Sequence, residues 1–306
     1  IVEVRSMVKS LHKNNIRVIM DVVYNHMQET SNLDKLVPGY YFRSNYRGRY
    51  TNGSGCGNEL ATERPMVRKY IIDSIKHWID HYNIDGFRFD LMGLIDVETI
   101  KEVVETVNTV NDNILIYGEP WKGGESPLTN GISKGMQRGQ DFSVFNDTYR
   151  NFIRGNNSPS NGFVNGNQHD GPTAWSIIEG LKGSTNTLSF KPVESINYVD
   201  AHDNYTLWDQ IEKSLNPMIK ANEYRIIEEV DVFDNQLVRR NILALSIILL
   251  SQGIPFIQAG SEILRTKYGD HNSYKSPDNI NAISWNDKVK YYEVFNYVKM
   301  LIKIRK

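Results

Sequence analysis

Cysteine is almost missing from this sequence: Cys56 stands alone among 306 residues. It excludes an intrachain disulfide and any thiolate metal cluster, and it leaves the redox compartment unread. Long hydrophobic runs are missing too. The most apolar stretch, Ile242 to Leu250, is interrupted by Ser246 and falls far short of the ~20 residues that cross a bilayer, so a soluble chain with no membrane span is expected. An excess of either charge is also lacking. With 35 Lys and Arg against 36 Asp and Glu, the net charge is -1, too weak a field to gather a polyanion, and no nucleic-acid partner is expected. The seven histidines form no HxH or HExxH arrangement, so a metal-dependent hydrolase lacks its usual ligand spacing and no catalytic metal site is expected. No GxGxxG fingerprint follows a strand pattern, which argues against a dinucleotide-binding, doubly wound sheet. What remains, at 40% hydrophobic and 23% charged residues, is the composition of a globular body of enzyme size.

Both ends read as cut. The chain opens at Ile1, and Val4, Met7, Val8 and Leu11 recur at helical spacing; it stops at Lys306 inside another helical pattern marked by Tyr292, Phe295, Val298, Leu301 and Ile304. The sequence is therefore expected to be an excerpt of a longer chain.

Between the ends, short apolar runs alternate with helical patterns, the rhythm of βα units around a parallel sheet. Strands are expected at residues 16–23, 86–90, 114–118, 142–146, 195–199 and 254–259, the first of them buried on both faces. Helices are expected at residues 65–82, 97–110, 148–154 and 236–251, followed by the closing helix. Residues 32–61 read as irregular, and so does an insertion rich in Asn, Gly and Ser after Arg154. Such units, with long loops after the strands, fit most of a TIM (β/α)8 barrel of the α/β class with its first two units upstream. The whole of 1–306 is then one barrel domain, incomplete at both ends. Isolated, it would leave an open apolar edge.

Polar residues cluster at the C-terminal ends of these strands, where barrel enzymes keep their chemistry. Four clusters stand out: Asp21-Val22-Val23-Tyr24-Asn25-His26, Gly86-Phe87-Arg88-Phe89-Asp90, Gly118-Glu119-Pro120-Trp121 and Asp200-Ala201-His202-Asp203-Asn204. Any one carboxylate of this kind more often caps a helix or pairs with an Arg. Four strand ends delivering Asp, His, Arg and Glu to one rim are different, because crowded carboxylates split their proton affinities. Two carboxyl groups in different protonation states are the apparatus of glycoside hydrolysis.

At these clusters the sequence resembles the α-amylase clan of glycoside hydrolases, whose signature regions lie on the third, fourth, fifth and seventh barrel strands. Within the clan it is similar to the type I pullulanase group of debranching enzymes. The resemblance is carried further by Phe145-Asn146-Asp147-Thr148-Tyr149-Arg150, by Tyr205-Thr206-Leu207-Trp208-Asp209, by Ser251-Gln252-Gly253-Ile254-Pro255-Phe256 and by the stretch from Leu264 to Tyr274. It implies a barrel running from the third strand through the eighth helix, with β-sandwich domains flanking it in the full chain. It also implies a retaining hydrolase of α-1,6-glucosidic branch linkages in pullulan, amylopectin and limit dextrins, with an α-glucan as partner. The alternatives are isoamylase, an α-1,4-cleaving amylase, a branching enzyme, or a non-catalytic carbohydrate-binding relative.

The resemblance further implies that Asp90 is the nucleophile, Glu119 the general acid/base and Asp203 the third carboxylate, which holds the distorted sugar. Arg88, two residues before Asp90, points to the same face of a strand and would keep Asp90 ionised. Glu119 has no cation beside it in sequence, and Trp121 is expected to shield it. Asp21 is expected to support Arg88. His26 and His202 match the clan's hydrogen-bonding histidines, and Tyr24, Met92 and Trp121 are expected to wall the sugar cleft. Asp270, Asn272 and Tyr274 look like the loop that grips more distant glucose units. Asn25 matches a position that helps bind calcium in many clan members, so no cofactor is expected beyond a structural calcium ion.

Overall fold

Strands and helices alternate as the hydrophobic rhythm requires, and in the computed structural model, which describes residues 1–306, the chain divides into two units, Ile1–Phe145 and Asn146–Lys306. The first carries four parallel strands in the order β1 (Ile19–Val22), β2 (Gly86–Phe89), β3 (Leu115–Gly118) and β4 (Ser143–Phe145). Asp21 lies opposite Arg88, and Arg88 opposite Tyr117. All four residues of β2 are buried. In contrast to the expectation for residues 16–23, only Val22 of β1 is buried and Asp21 is exposed. The reason is position: β1 is an edge strand, paired with β2 on one side.

Helices α1 (Val2–Lys13), α2 (Pro65–Tyr82) and α3 (Val97–Val110) belong to this unit. In α2, Val67, Ile71, Ile75 and Ile79 fall on one face and are buried, each such side chain contributing roughly 1.5–3 kcal/mol. The helix begins with Pro65 at its first position, where no N–H is missed, and ends at Asn83 in the left-handed region. Asp96 caps α3 by accepting a bond from the Thr99 N–H at 3.0 Å. Gly118 is required at the end of β3, because a Cβ there would sit 2.6 Å from the carbonyl oxygen of Phe89 on the neighbouring strand. The stretch read as irregular supplies Asn58–Glu59 to a short antiparallel ladder with His26–Met27. Beneath it, buried Arg43 pairs with Glu59 and, at 2.8 Å, with Glu63.

The second unit carries the parallel strands β5 (Ser195–Asn197) and β6 (Ile254–Pro255), with Ile196 opposite Ile254. Its helices are α4 (Asp147–Arg154), α5 (Gly171–Leu181), α6 (Leu207–Leu215), α7 (Gln236–Leu250) and α8 (Tyr292–Arg305). Ile153, Ile211, Leu245, Ile248 and Val298 form the centre of its core. The strand expected at residues 254–259 is shorter because Pro255 has no N–H to give, although Phe256 still donates to the Asn197 carbonyl at 2.8 Å. Together these elements make an α/β fold of the kind expected for part of a (β/α)8 barrel. No helix is long and apolar enough to cross a membrane.

Candidate active site

Arg88, at the middle of β2, is the hub of the first unit's polar cluster. Its Nη1 donates to Asp21 Oδ1 at 2.7 Å and to Asp90 Oδ1 at 3.0 Å, while Nη2 donates to Glu119 Oε1 at 2.5 Å. Parallel pairing explains the reach: β1 and β3 flank β2, so one strand's guanidinium meets carboxylates from both neighbours. The side chain of Arg88 is only 8% exposed. Burial works against its charge, but the attraction of Glu119, Asp21 and Asp90 outweighs it and leaves the guanidinium above its ordinary pKa. The pairing also corrects the sequence reading of Glu119, which does have a cation beside it. That cation comes from the neighbouring strand, where linear spacing does not look.

Asp90 is fixed from a second side. Asn25, wholly buried, donates through Nδ2 to the Asp90 carbonyl at 2.8 Å and to Asp90 Oδ2 at 2.9 Å, and its Oδ1 meets His26 Nδ1 at 2.5 Å. The Asp90 N–H continues the ladder by donating to the Val22 carbonyl at 3.0 Å. Both carboxylate oxygens are therefore engaged, one by a cation and one by an amide. The next residue, Leu91, adopts a left-handed conformation (φ 37°), strained for an L residue with a bulky side chain, and its N–H donates to Glu119 Oε2 at 2.9 Å. Burial lowers the pKa of His26 against the opposing pull of Asp90's charge, so the ring is a neutral hydrogen-bonding group near pH 7.

Two of the expected cleft walls need correction. Met92 is fully buried, packed where a Cβ on Gly118 would meet its Cε at 2.6 Å, so it supports the floor of the site and offers no face to a sugar. Tyr24 is buried between Tyr70 and Phe89, with its hydroxyl 2.6 Å from Ser74 Oγ; it anchors the strand end to α2. Trp121 is half-buried in the loop after β3, its ring centroid 6.4 Å from that of Phe145. Its carbonyl accepts from the Gly93 N–H at 3.1 Å.

In the second unit, the four polar residues after β5 have separate fates. Asp200 is buried and accepts from the Leu207 N–H at 3.0 Å and from Ser261 Oγ at 2.7 Å, so it fastens the start of α6. His202 and Asp203 are exposed, with His202 Nε2 at 3.7 Å from Asp203 Oδ1. They line a cleft of about 260 Å³ together with Asn204, His271, Asn272 and Tyr274. Asp270 is not part of that lining. Its two oxygens accept from the Asn272 N–H at 3.0 Å and from Ser276 Oγ at 2.5 Å, so it shapes the loop that presents Asn272 and Tyr274.

At Asn25, the position matched to calcium binding, the amide oxygen meets the His26 ring, and no group of three or more His, Cys, Asp or Glu side chains is arranged to hold a metal ion. The sequence reading missed Asn25 as the residue that orients Asp90, and the Leu91 N–H as a partner of Glu119. The first has a sequence signal, an Asn one residue before a site histidine; the second has none, since it depends on the backbone turn.

The profile of the α-amylase family, described as the alpha amylase catalytic domain, matches residues 57–299. Pullulanase of Bacillus subtilis (strain 168) is 38% identical over 316 residues, which span 99% of this chain and 42% of the relative. Pullulanase 1, chloroplastic, of Arabidopsis thaliana is 35% identical over 93% of this chain and 34% of its own. Among solved structures, the pullulanase from Bacillus acidopullulyticus is similar with a TM-score of 0.89 at 40% identity, over 98% of this chain and 36% of that one. The pullulanase from Anoxybacillus sp. LM18-11 in complex with maltotetraose gives a TM-score of 0.87 at 39% identity, over 99% and 42%. The chain thus spans well under half the length of these relatives.

Proposed function

Since the chain belongs to the α-amylase family of catalytic domains, we propose that it is the catalytic part of a retaining glycoside hydrolase that cuts α-1,6-glucosidic branch linkages in pullulan, amylopectin and limit dextrins. The observation that carries this reading is the shared guanidinium of Arg88, which holds Asp90 and Glu119 side by side at the ends of adjacent strands. A retaining enzyme needs its two carboxyl groups roughly 5–5.5 Å apart, close enough for one to attack carbon while the other serves the bridging oxygen.

In the first half of the reaction, Asp90 Oδ attacks the anomeric carbon. The bond to the bridging oxygen breaks as Glu119 gives that oxygen a proton, and a glycosyl ester forms on Asp90. In the second half, Glu119 takes a proton from water, the water oxygen replaces Asp90 on the same carbon, and both carboxyl groups return to their starting state. Asn25 and Arg88 aim the nucleophile, His26 and His202 hydrogen-bond the sugar hydroxyls, and Asp203 steadies the distorted ring. Trp121, Asn272 and Tyr274 supply contact with flanking glucose units.

The linkage preference is supported by the Leu264 to Tyr274 stretch and by the pullulanase relatives, one of them solved with maltotetraose. Digestion of pullulan by the full-length enzyme tests it directly. Maltotriose is the expected product; panose or isopanose would show α-1,4 cleavage and overturn the assignment.

A further inference from the structure

A buried lysine outside the first unit's cluster has no place in the chemistry so far. Lys267 is 3% exposed, and burying an ammonium is expensive unless its donors are used. Its Nζ donates to the backbone carbonyl of His202 at 2.7 Å, the residue immediately before Asp203, and Asp203, Asp270 and Asp209 are the anions that favour its charge. Its backbone is fixed as firmly as its tip. Asp209, buried in the first turn of α6, accepts from the Thr266 hydroxyl, from the Lys267 N–H at 2.8 Å and from the Gly269 N–H at 3.2 Å. The loop is thereby folded around one carboxylate, and Tyr268 within it is left-handed (φ 56°), with its N–H on Thr266 Oγ1 at 2.8 Å. Lys267 closes the same loop through its carbonyl, which accepts from the Asp270 N–H at 3.0 Å.

The result is a strut running from α6 through Asp209 and Lys267 to the His202 carbonyl. It ends on the turn that carries Asp203, and its other branch leads to the 271–274 segment on the facing side of the cleft. The turn needs such a support, because His202 and Asp203 are themselves exposed and Asn204 takes the left-handed conformation (φ 63°).

We propose that Lys267, braced by Asp209, is a positioning residue that places Asp203 for its work on the distorted sugar. The proposal rests on the functional reading of Asp203 given above. Carboxylate placement matters at the transition state more than in substrate binding, so losing the strut lowers kcat and spares KM.

The test uses the full-length enzyme on pullulan, with Lys267→Met, Asp209→Asn, Asp203→Asn and their pairwise combinations. Lys267→Met keeps the length and the apolar stem of the side chain and removes the donor; kcat is expected to fall about 100-fold, the loss typical of a displaced catalytic group, with KM within about threefold. In the Asp203→Asn background the same change is expected to lower the residual rate by less than about twofold, because its effect passes through Asp203. Multiplicative losses in the double variant, or a raised KM at unchanged kcat, would overturn the proposal. Should Lys267→Met fail to fold by circular dichroism, Asp209→Asn carries the test under the same criteria. If Asp203→Asn alone retains full turnover, the functional reading fails instead, and the two failures are distinct.

Discussion

Arg88 shows how one side chain gathers a site that the chain delivers in pieces. Its three carboxylates come from two other strand ends and its own. Replacing it with Met leaves Asp90 and Glu119 crowded without a counter-ion, and breaking a buried pair in this way costs about 3–5 kcal/mol. Arg88→Met is therefore expected to lower the denaturation midpoint clearly and to abolish turnover; an unchanged midpoint in urea would contradict the hub. Asp90→Asn and Glu119→Gln are close to isosteric and act on the chemistry instead. Each should lower pullulan turnover by at least about three orders of magnitude while maltotriose binding persists, since the two groups act as a unit. Either variant keeping a tenth of the wild-type rate would refute the assignment. His26 gives a pH prediction with a definite sign. Burial holds its folded pKa below 6.5, so as pH falls the unfolded chain takes up a proton first, and the stability associated with a neutral ring is lost from about 6.5 downward. A ring resonance titrating below 6.5 by NMR is expected. A midpoint above 6.5 would mean that the Asp90 charge dominates.

Among the elements, what was legible in the sequence followed periodicity and punctuation. Helices α2 and α3 occupy the residues expected of them, because their apolar faces repeat at helical spacing and Pro65 and Asp96 mark their starts. Helix α5 was hidden. Trp175, Ile178 and Leu181 are exposed on it, so its apolar residues do not sort to one face, and the Asn- and Gly-rich sequence before it reads as loop. The pairing of Arg88 with Asp90 was legible from a spacing of two on a strand, but its pairing with Glu119 depends on the register of β2 against β3. Met92 and Tyr24 read as cleft walls because they stand within two residues of Asp90 and His26 in sequence; the turn after β2 and the packing on α2 bury them. At Gly118 strands β2 and β3 approach each other closely. Gly118→Ala is expected to destabilise the protein by about 1–3 kcal/mol through forced separation of β2 and β3, measurable as a shifted urea midpoint; an unshifted midpoint would contradict the close approach.

At the scale of the whole molecule, the proposed hydrolysis works through carboxylates held by an arginine and an asparagine. Asn25 turns its amide to Asp90 and His26, so exhaustive chelation with EDTA is expected to leave turnover intact at moderate temperature. Activity lost on chelation and restored by calcium or zinc would contradict that role. In the proposed mechanism Asp90 is a nucleophile and not a base for water, and stereochemistry decides between the two roles. Attack by Asp90 followed by attack of water inverts the anomeric carbon twice and retains the α configuration, whereas an inverting enzyme keeps its carboxyl groups about 6.5–9.5 Å apart and inverts once. Proton NMR of sugar freshly released from pullulan by the full-length enzyme should show the α-anomer first, followed by slow mutarotation. The β-anomer appearing first would contradict the assignment of Asp90.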